Sequence, residues 1–155
     1  MKAIKLNPAF KDYLWGGTKL RDEYGKKCDL DKVAESWELS CHKDGCSVVA
    51  DGEYAGLTLP QYIEKAGKAV LGTDCEKFEY FPILIKLIDA MQNLSVQVHP
   101  DNDYAMRVEG EYGKTEMWYV VDCEPGAGLL YGFKHEISKE EFRRRIEDNT
   151  LQELT

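Results

Sequence analysis

The strongest constraint on the fold is a series of short alternating stretches separated by turn signals. L-S-V-Q-V-H-P, from Leu94 to Pro100, places Leu94, Val96 and Val98 on one side and Ser95, Gln97 and His99 on the other. Successive side chains of a strand point to opposite faces, so this pattern suits a half-buried strand. Val33 to Ser40 alternates in the same way. Cys46 to Ala50 reads as a short strand closed by Asp51-Gly52, and Ile83 to Ile88, opened by Pro82, reads as a strand buried on both faces. Thr115 to Asp122 is rich in β-branched and aromatic residues, and Gly128 to Phe133 follows after the Glu124-Pro125-Gly126 turn. No regular alternation of strand and helix runs through the chain. The expected class is therefore mainly β with a few helices, an antiparallel sandwich or barrel.

The helices announce themselves by their caps. Thr58-Leu59-Pro60-Gln61 has capping-box form with proline in the first turn, and Leu59, Tyr62, Ile63, Ala66 and Val70 follow at helical spacing. A helix from Leu59 to Leu71, ended by Gly72, is expected. Pro100-Asp101 should cap a short helix containing Tyr104, Ala105 and Val108. Ser138-x-x-Glu141 starts another through Ile146, and Thr150-x-x-Glu153 has the form of a third box, implying a helix that would run on past Thr155. Arg143, Arg144 and Arg145 read as a solvated charged face.

The 155 residues are expected to form one domain, and the net charge of −8 argues against nucleic acid or an anionic membrane as partner. An anionic small substrate would need local cations. No N-terminal signal segment or membrane-length apolar run is present, so a cytoplasmic location is expected. The five cysteines then read as reduced thiols; Cys41 and Cys46 flank His42, but no second pair follows at zinc-finger spacing. His42 and His135 sit in polar, turn-like surroundings and read as surface residues.

Gln97 and His99 share one face of the alternating stretch, and Glu116 lies on the next strong strand. An amide oxygen, an imidazole nitrogen and a carboxylate are suitable donors for a divalent metal. Spacing alone nevertheless favours a wet sheet face. Lys114 shares a face with Glu116, as a substrate-facing ammonium or as half of an exposed charge pair. Lys86 lies inside an apolar strand, where an unpaired ammonium is costly, so it either pairs with a buried carboxylate or meets an anion in a pocket. Trp15, Trp37 and Trp118 read as core or rim aromatics, though Trp15 beside Gly16-Gly17 could wall a sugar ring.

Five segments carry a resemblance. Y-L-W-G-G (Tyr13 to Gly17), A-E-S-W-E-L-S (Ala34 to Ser40), F-P-I-L-I-K-L-I-D-A (Phe81 to Ala90), L-S-V-Q-V-H-P-D (Leu94 to Asp101) and G-K-T-E-M-W-Y (Gly113 to Tyr119) resemble type I mannose-6-phosphate isomerases along essentially the whole chain. The resemblance implies a cupin-type antiparallel β-barrel or jelly roll, incomplete in this chain. It implies a cytosolic, zinc-dependent isomerase that interconverts mannose 6-phosphate and fructose 6-phosphate through an enediol. Gln97, His99 and Glu116 match the family's zinc ligands, and Lys114 matches its active-site lysine. Trp15, Glu35, Ser95 and Lys86 match positions that line its substrate pocket. The family's fourth ligand, a histidine, and a catalytic arginine lie further along and have no match here. An N-terminal portion is therefore implied, with weak zinc binding, little turnover, and self-association through open sheet edges. The alternatives are a non-catalytic sugar-phosphate-binding cupin and, ranked last, an iron-dependent cupin oxygenase.

Overall fold

The computed structural model describes residues 3–155, which divide into two compact units, one ending at Ser95 and the other spanning Val96–Thr155. Five strands lie in the first: β1 (Leu6–Asn7), β2 (Ala9–Lys11), β3 (Glu35–Leu39), β4 (Val48–Val49) and β5 (Ile85–Ile88). All pair antiparallel, β1 with β4 in one sheet and β2-β3-β5 in the other. Neither sheet closes on itself, which agrees with a mainly β, incomplete antiparallel architecture.

The core of this unit forms where β4 meets the helix α2 (Leu59–Ala66). Val49, Leu59 and Tyr62 are buried there, packed by Ile4, Leu6, Leu39, Cys41, Tyr54 and Ile63. Burying side chains of this size contributes about 1.5–3 kcal/mol each. The capping box forms as expected: the Thr58 hydroxyl accepts from the Gln61 amide, and the Gln61 side chain accepts from the Thr58 amide. The helix stops earlier than expected, because Gly67 takes a positive φ of 87° and the chain continues as a 3-10 turn over Lys68–Leu71. Two glycines satisfied the stop signal, and the first one is used. A short helix α1 (Lys19–Asp22) precedes β3.

Strand β5 is not buried on both faces. It lies at the edge of its sheet, and Ile83, Leu84 and Ile85 are exposed. Gly16 lies so close to Ala34 that an added Cβ would sit 2.5 Å from that residue's Cβ. This contact seats the Trp15–Gly17 turn against the start of β3.

The second unit holds the helices α3 (Asn102–Val108) and α4 (Lys139–Glu147) and a 3-10 turn over Leu151–Leu154. Asp101 caps α3 through its carboxylate to the Tyr104 amide at 2.8 Å, and Ser138 caps α4 through its hydroxyl to the Glu141 amide at 3.1 Å. Thr150 makes no side-chain cap; its hydroxyl accepts from Arg145 instead, and Arg145 also reaches Glu153 at 2.9 Å. That arginine is therefore folded onto its own unit rather than left in solvent.

Three expected strands are not formed here. Leu94 to His99, Thr115 to Asp122 and Gly128 to Phe133 lie outside every ladder. Their apolar side chains are open: Val98 is 87% exposed, Met117 88% and Tyr131 98%. A strand is defined by a hydrogen-bonded neighbour as much as by its own composition. These stretches carry the composition without the neighbour.

Candidate functional site

Two clusters of charged side chains stand out, one in each unit. The first is on the β2-β3-β5 sheet. Register places Lys86 opposite Trp37 and Lys11 opposite Glu35, so Lys11, Glu35, Trp37 and Lys86 share one face. Glu35 is only 5% exposed. Its carboxylate accepts from the Lys86 ammonium at 2.8 Å and from the Trp37 indole N–H at 2.6 Å. A buried carboxylate needs such compensation. Lys86 thus takes the first of the two arrangements its sequence allowed, pairing with a buried acid. The Lys11 ammonium stacks over the Trp37 ring at 4.6 Å from its centroid.

Trp15 is half-buried, its ring 5.6 Å from that of Tyr13, and its carbonyl accepts from the Met91 and Gln92 amides. Ser95 is exposed at the end of this unit. His42 is less exposed than its neighbours suggested: its imidazole packs edge-on against Trp37 at 5.6 Å. His135 is exposed.

The second cluster joins the two motifs that share polar faces. His99 Nε2 lies 3.2 Å from Glu116 Oε2, and Lys114 Nζ lies 3.1 Å from Glu116 Oε1. The side chains of His99 and Glu116 are 23% and 29% exposed, that of Lys114 43%. Gln97 is exposed two residues before His99.

No ladder brings these segments together. The contact is made by Gly113, where an added Cβ would lie 2.5 Å from the Asp101 carbonyl carbon, 2.6 Å from the Asn102 nitrogen and 2.7 Å from the Pro100 oxygen. All three are backbone atoms, so only glycine allows this approach. The Gly113 amide donates to the Asn102 side chain at 2.9 Å, and the Lys114 amide to the Pro100 carbonyl at 3.3 Å. The sequence marked Gly113 only as a loop residue.

The electrostatics of Glu116 follow from this crowding. Burial pushes its carboxyl pKa up, but hydrogen bonds from Trp118 and Lys114 and the charges of Lys114 and His99 outweigh it, leaving the group below the ordinary carboxylate range. Trp118 is 46% exposed, as a rim aromatic would be, and its hydrogen bond to Glu116 is a contact the sequence reading did not single out. Its position two residues after Glu116, on the same alternating face, was the available signal.

Among the described residues no group of three or more His, Cys, Asp or Glu side chains could hold a metal. The pair His99–Glu116 is nonetheless compatible with one shared ion. Two donors about 2.0–2.1 Å from a tetrahedral zinc lie about 3.3 Å apart, close to the separation found here.

Known proteins are similar to this chain along most of its length. The family model for the phosphomannose isomerase type I catalytic domain matches residues 3–122. A probable mannose-6-phosphate isomerase of Bacillus subtilis, GmuF, is 48% identical over 143 residues, covering 92% of this chain and 44% of the relative. A mannose-6-phosphate isomerase of Streptococcus mutans is 45% identical over 134 residues, covering 86% and 41%. The crystal structure of the mannose 6-phosphate isomerase from Bacillus subtilis superposes with a TM-score of 0.89 at 39% identity, covering 99% of this chain and 48% of that one. The chain thus spans less than half the length of each of these relatives. No helix among the described residues is long and apolar enough to cross a membrane. With most of its length matched by the catalytic-domain model and its fold shared with a solved relative, the chain belongs to the type I phosphomannose isomerase family.

Proposed function

We propose that this protein contributes the first part of a zinc-dependent active site that interconverts mannose 6-phosphate and fructose 6-phosphate in the cytosol. The observation that carries this reading is the convergence of His99 and Lys114 on the Glu116 carboxylate, each within hydrogen-bonding distance of it, in a chain of this family.

Gln97, His99 and Glu116 would hold the metal, through an amide oxygen, an imidazole nitrogen and a carboxylate oxygen. When bound, zinc would act as a Lewis acid toward the oxygens of the reacting carbons. The chain's own residues prepare the rest. Lys114 and Trp118 hold Glu116 ionised, which is the form a metal requires. An ammonium carries three donors, so the link from Lys114 to Glu116 leaves capacity for a substrate oxygen. Aldose–ketose interconversion moves a proton between two carbons through an enediol whose oxygens gain negative charge. A nearby ammonium stabilises that charge most where water is scarce. In a chain of net charge −8, such a local cation is also what an anionic sugar phosphate needs. Lys86 is engaged by Glu35, so its part is to keep Glu35 and Trp37 fixed on the sheet face; Trp15 and Ser95 are carried over from the family resemblance as positions for the sugar.

Three metal donors give weak zinc binding, and this chain alone turns over little substrate. Copies of the chain associate through open sheet edges such as that of β5, where Ile85 is exposed.

A chimera tests the reading. The 155-residue chain is joined to the part of the Bacillus subtilis isomerase beyond the matched region and assayed for mannose 6-phosphate turnover. The expected result is activity that His99→Ala and Lys114→Met abolish. A folded, zinc-loaded chimera that binds mannose 6-phosphate without converting it would point instead to a sugar-phosphate-binding protein.

A further inference from the structure

The turn that follows β3 carries Cys41 on one arm and Cys46 on the other, the Cys46 thiol donating to the His42 carbonyl at 3.3 Å. The Gly45 amide donates to the His42 carbonyl at 3.0 Å, closing a tight turn over His42–Gly45. The Ser47 amide donates to the Ser40 carbonyl at 2.9 Å. Cys41 and Cys46 lie between these two bonded pairs, so they occupy the intervening position, directly opposite and without a mutual backbone bond. At such positions the Cα atoms of an antiparallel pair approach to about 4.5 Å. A disulfide accepts Cα separations from about 4.4 to 6.8 Å. Ser40 and Ser47, the neighbouring pair, are fully buried, while Cys41 and Cys46 are each partly exposed. Alternation therefore turns both cysteines to the side away from the two serines.

We propose that Cys41 and Cys46 form a reversible intrachain disulfide when the protein meets a low-molecular-weight disulfide. Cys41 packs against the core of Val49, Leu59 and Tyr62, and burial, with Cys46 nearby, pushes its thiol up to about 11. The first attack therefore falls to Cys46. Its thiolate displaces one thiol from the small disulfide and forms a mixed disulfide. The Cys41 thiolate then attacks Cys46 Sγ and displaces the second thiol. Two protein thiols are oxidised and one small disulfide is reduced to two thiols, the departing thiolates taking up the two protons that the cysteines lose.

The bond would lock a turn that rests on the site's aromatic anchor. His42 packs edge-on against Trp37, and a Cβ added at Gly45 would lie 3.0 Å from the Trp37 ring. The Asp44 carbonyl accepts from Lys11, which stacks on the same ring. Trp37 in turn donates to Glu35.

The test uses the folded 155-residue chain, oxidised glutathione as probe, alkylation of remaining thiols and peptide mapping. The expected product is a peptide pair in which Cys41 and Cys46 are joined and unalkylated, and which dithiothreitol restores to two thiols. Cys41→Ser should trap glutathione on Cys46. A native-state oxidation that leaves both residues alkylatable, or a wild-type chain that retains glutathione on Cys46 without closing the ring, overturns the proposal. Circular dichroism of wild type and variant before oxidation establishes that both are folded.

Discussion

The buried Glu35–Lys86 pair makes a quantitative demand on stability. At 2.8 Å, two unit charges attract by about 6 kcal/mol at an effective dielectric constant near 20. Desolvating both ions removes most of that gain, since each costs several kcal/mol to bury. Removing one partner is different, because the other is left buried and uncompensated. Lys86→Met leaves the Glu35 carboxylate, 5% exposed, with the Trp37 indole as its donor. The Lys86 side chain is 20% exposed, so the cost belongs at the low end of the range for a broken buried pair, about 3 kcal/mol. Glu35→Gln in the same background removes the orphaned charge and should recover all but about 1 kcal/mol. Urea denaturation of the wild type, both single variants and the double variant, followed by circular dichroism, gives the four free energies and the coupling between the sites. A Lys86→Met cost below about 1 kcal/mol, or a double variant no more stable than the single, would refute the reasoning that this pair is desolvated.

Gly113→Ala should weaken zinc binding about tenfold or more by titration calorimetry, because its Cβ meets three backbone atoms at 2.5–2.7 Å and relieving overlap of order 1–3 kcal/mol moves Glu116 away from His99. Glu116 should titrate below the ordinary carboxylate range by carbon-detected NMR, and Lys114→Met should raise its pKa. The sign of its linkage is that of a depressed acid: the stabilisation is complete above the unfolded carboxylate value and is lost as pH falls through the lower folded value. Thr58→Ala removes the hydroxyl acceptor of the capping box and should cost about 1 kcal/mol in the same urea experiment.

What the sequence disclosed, and what it did not, divides along the range of the interactions. Thr58, Asp101 and Ser138 each cap a helix with a side chain that reaches three residues ahead, so the signal and the structure lie within one turn of chain. The stop at Gly67 rather than Gly72 was ambiguous, since both glycines take positive φ and only packing selects between them. Ile83–Ile85 carried the apolar content of a doubly buried strand, yet β5 is an edge strand, and an edge position depends on the neighbours present. The same reason applies to residues 94–99, 115–122 and 128–133, whose β-type composition was legible while their lack of ladder partners was not. In the candidate site, the polar faces of Gln97–His99 and Lys114–Glu116 were legible from alternation and from family resemblance. Their closeness depends on Gly113 pressed against Pro100–Asn102, a contact between residues more than ten positions apart. The Trp37 bond to Glu35 is set by β-strand alternation and could have been anticipated; the Lys86 contact required the β3–β5 register.

The central claim is that His99 and Glu116 share a metal ion. Its most direct test is a zinc titration of the metal-stripped chain near neutral pH, read by calorimetry and by elemental analysis after dialysis. The account predicts one weak zinc site per chain, with affinity reduced about tenfold or more by either His99→Ala or Glu116→Gln, the range expected when a metal site loses a ligand or its support. Absence of zinc binding, or binding that both substitutions leave unchanged, would contradict it.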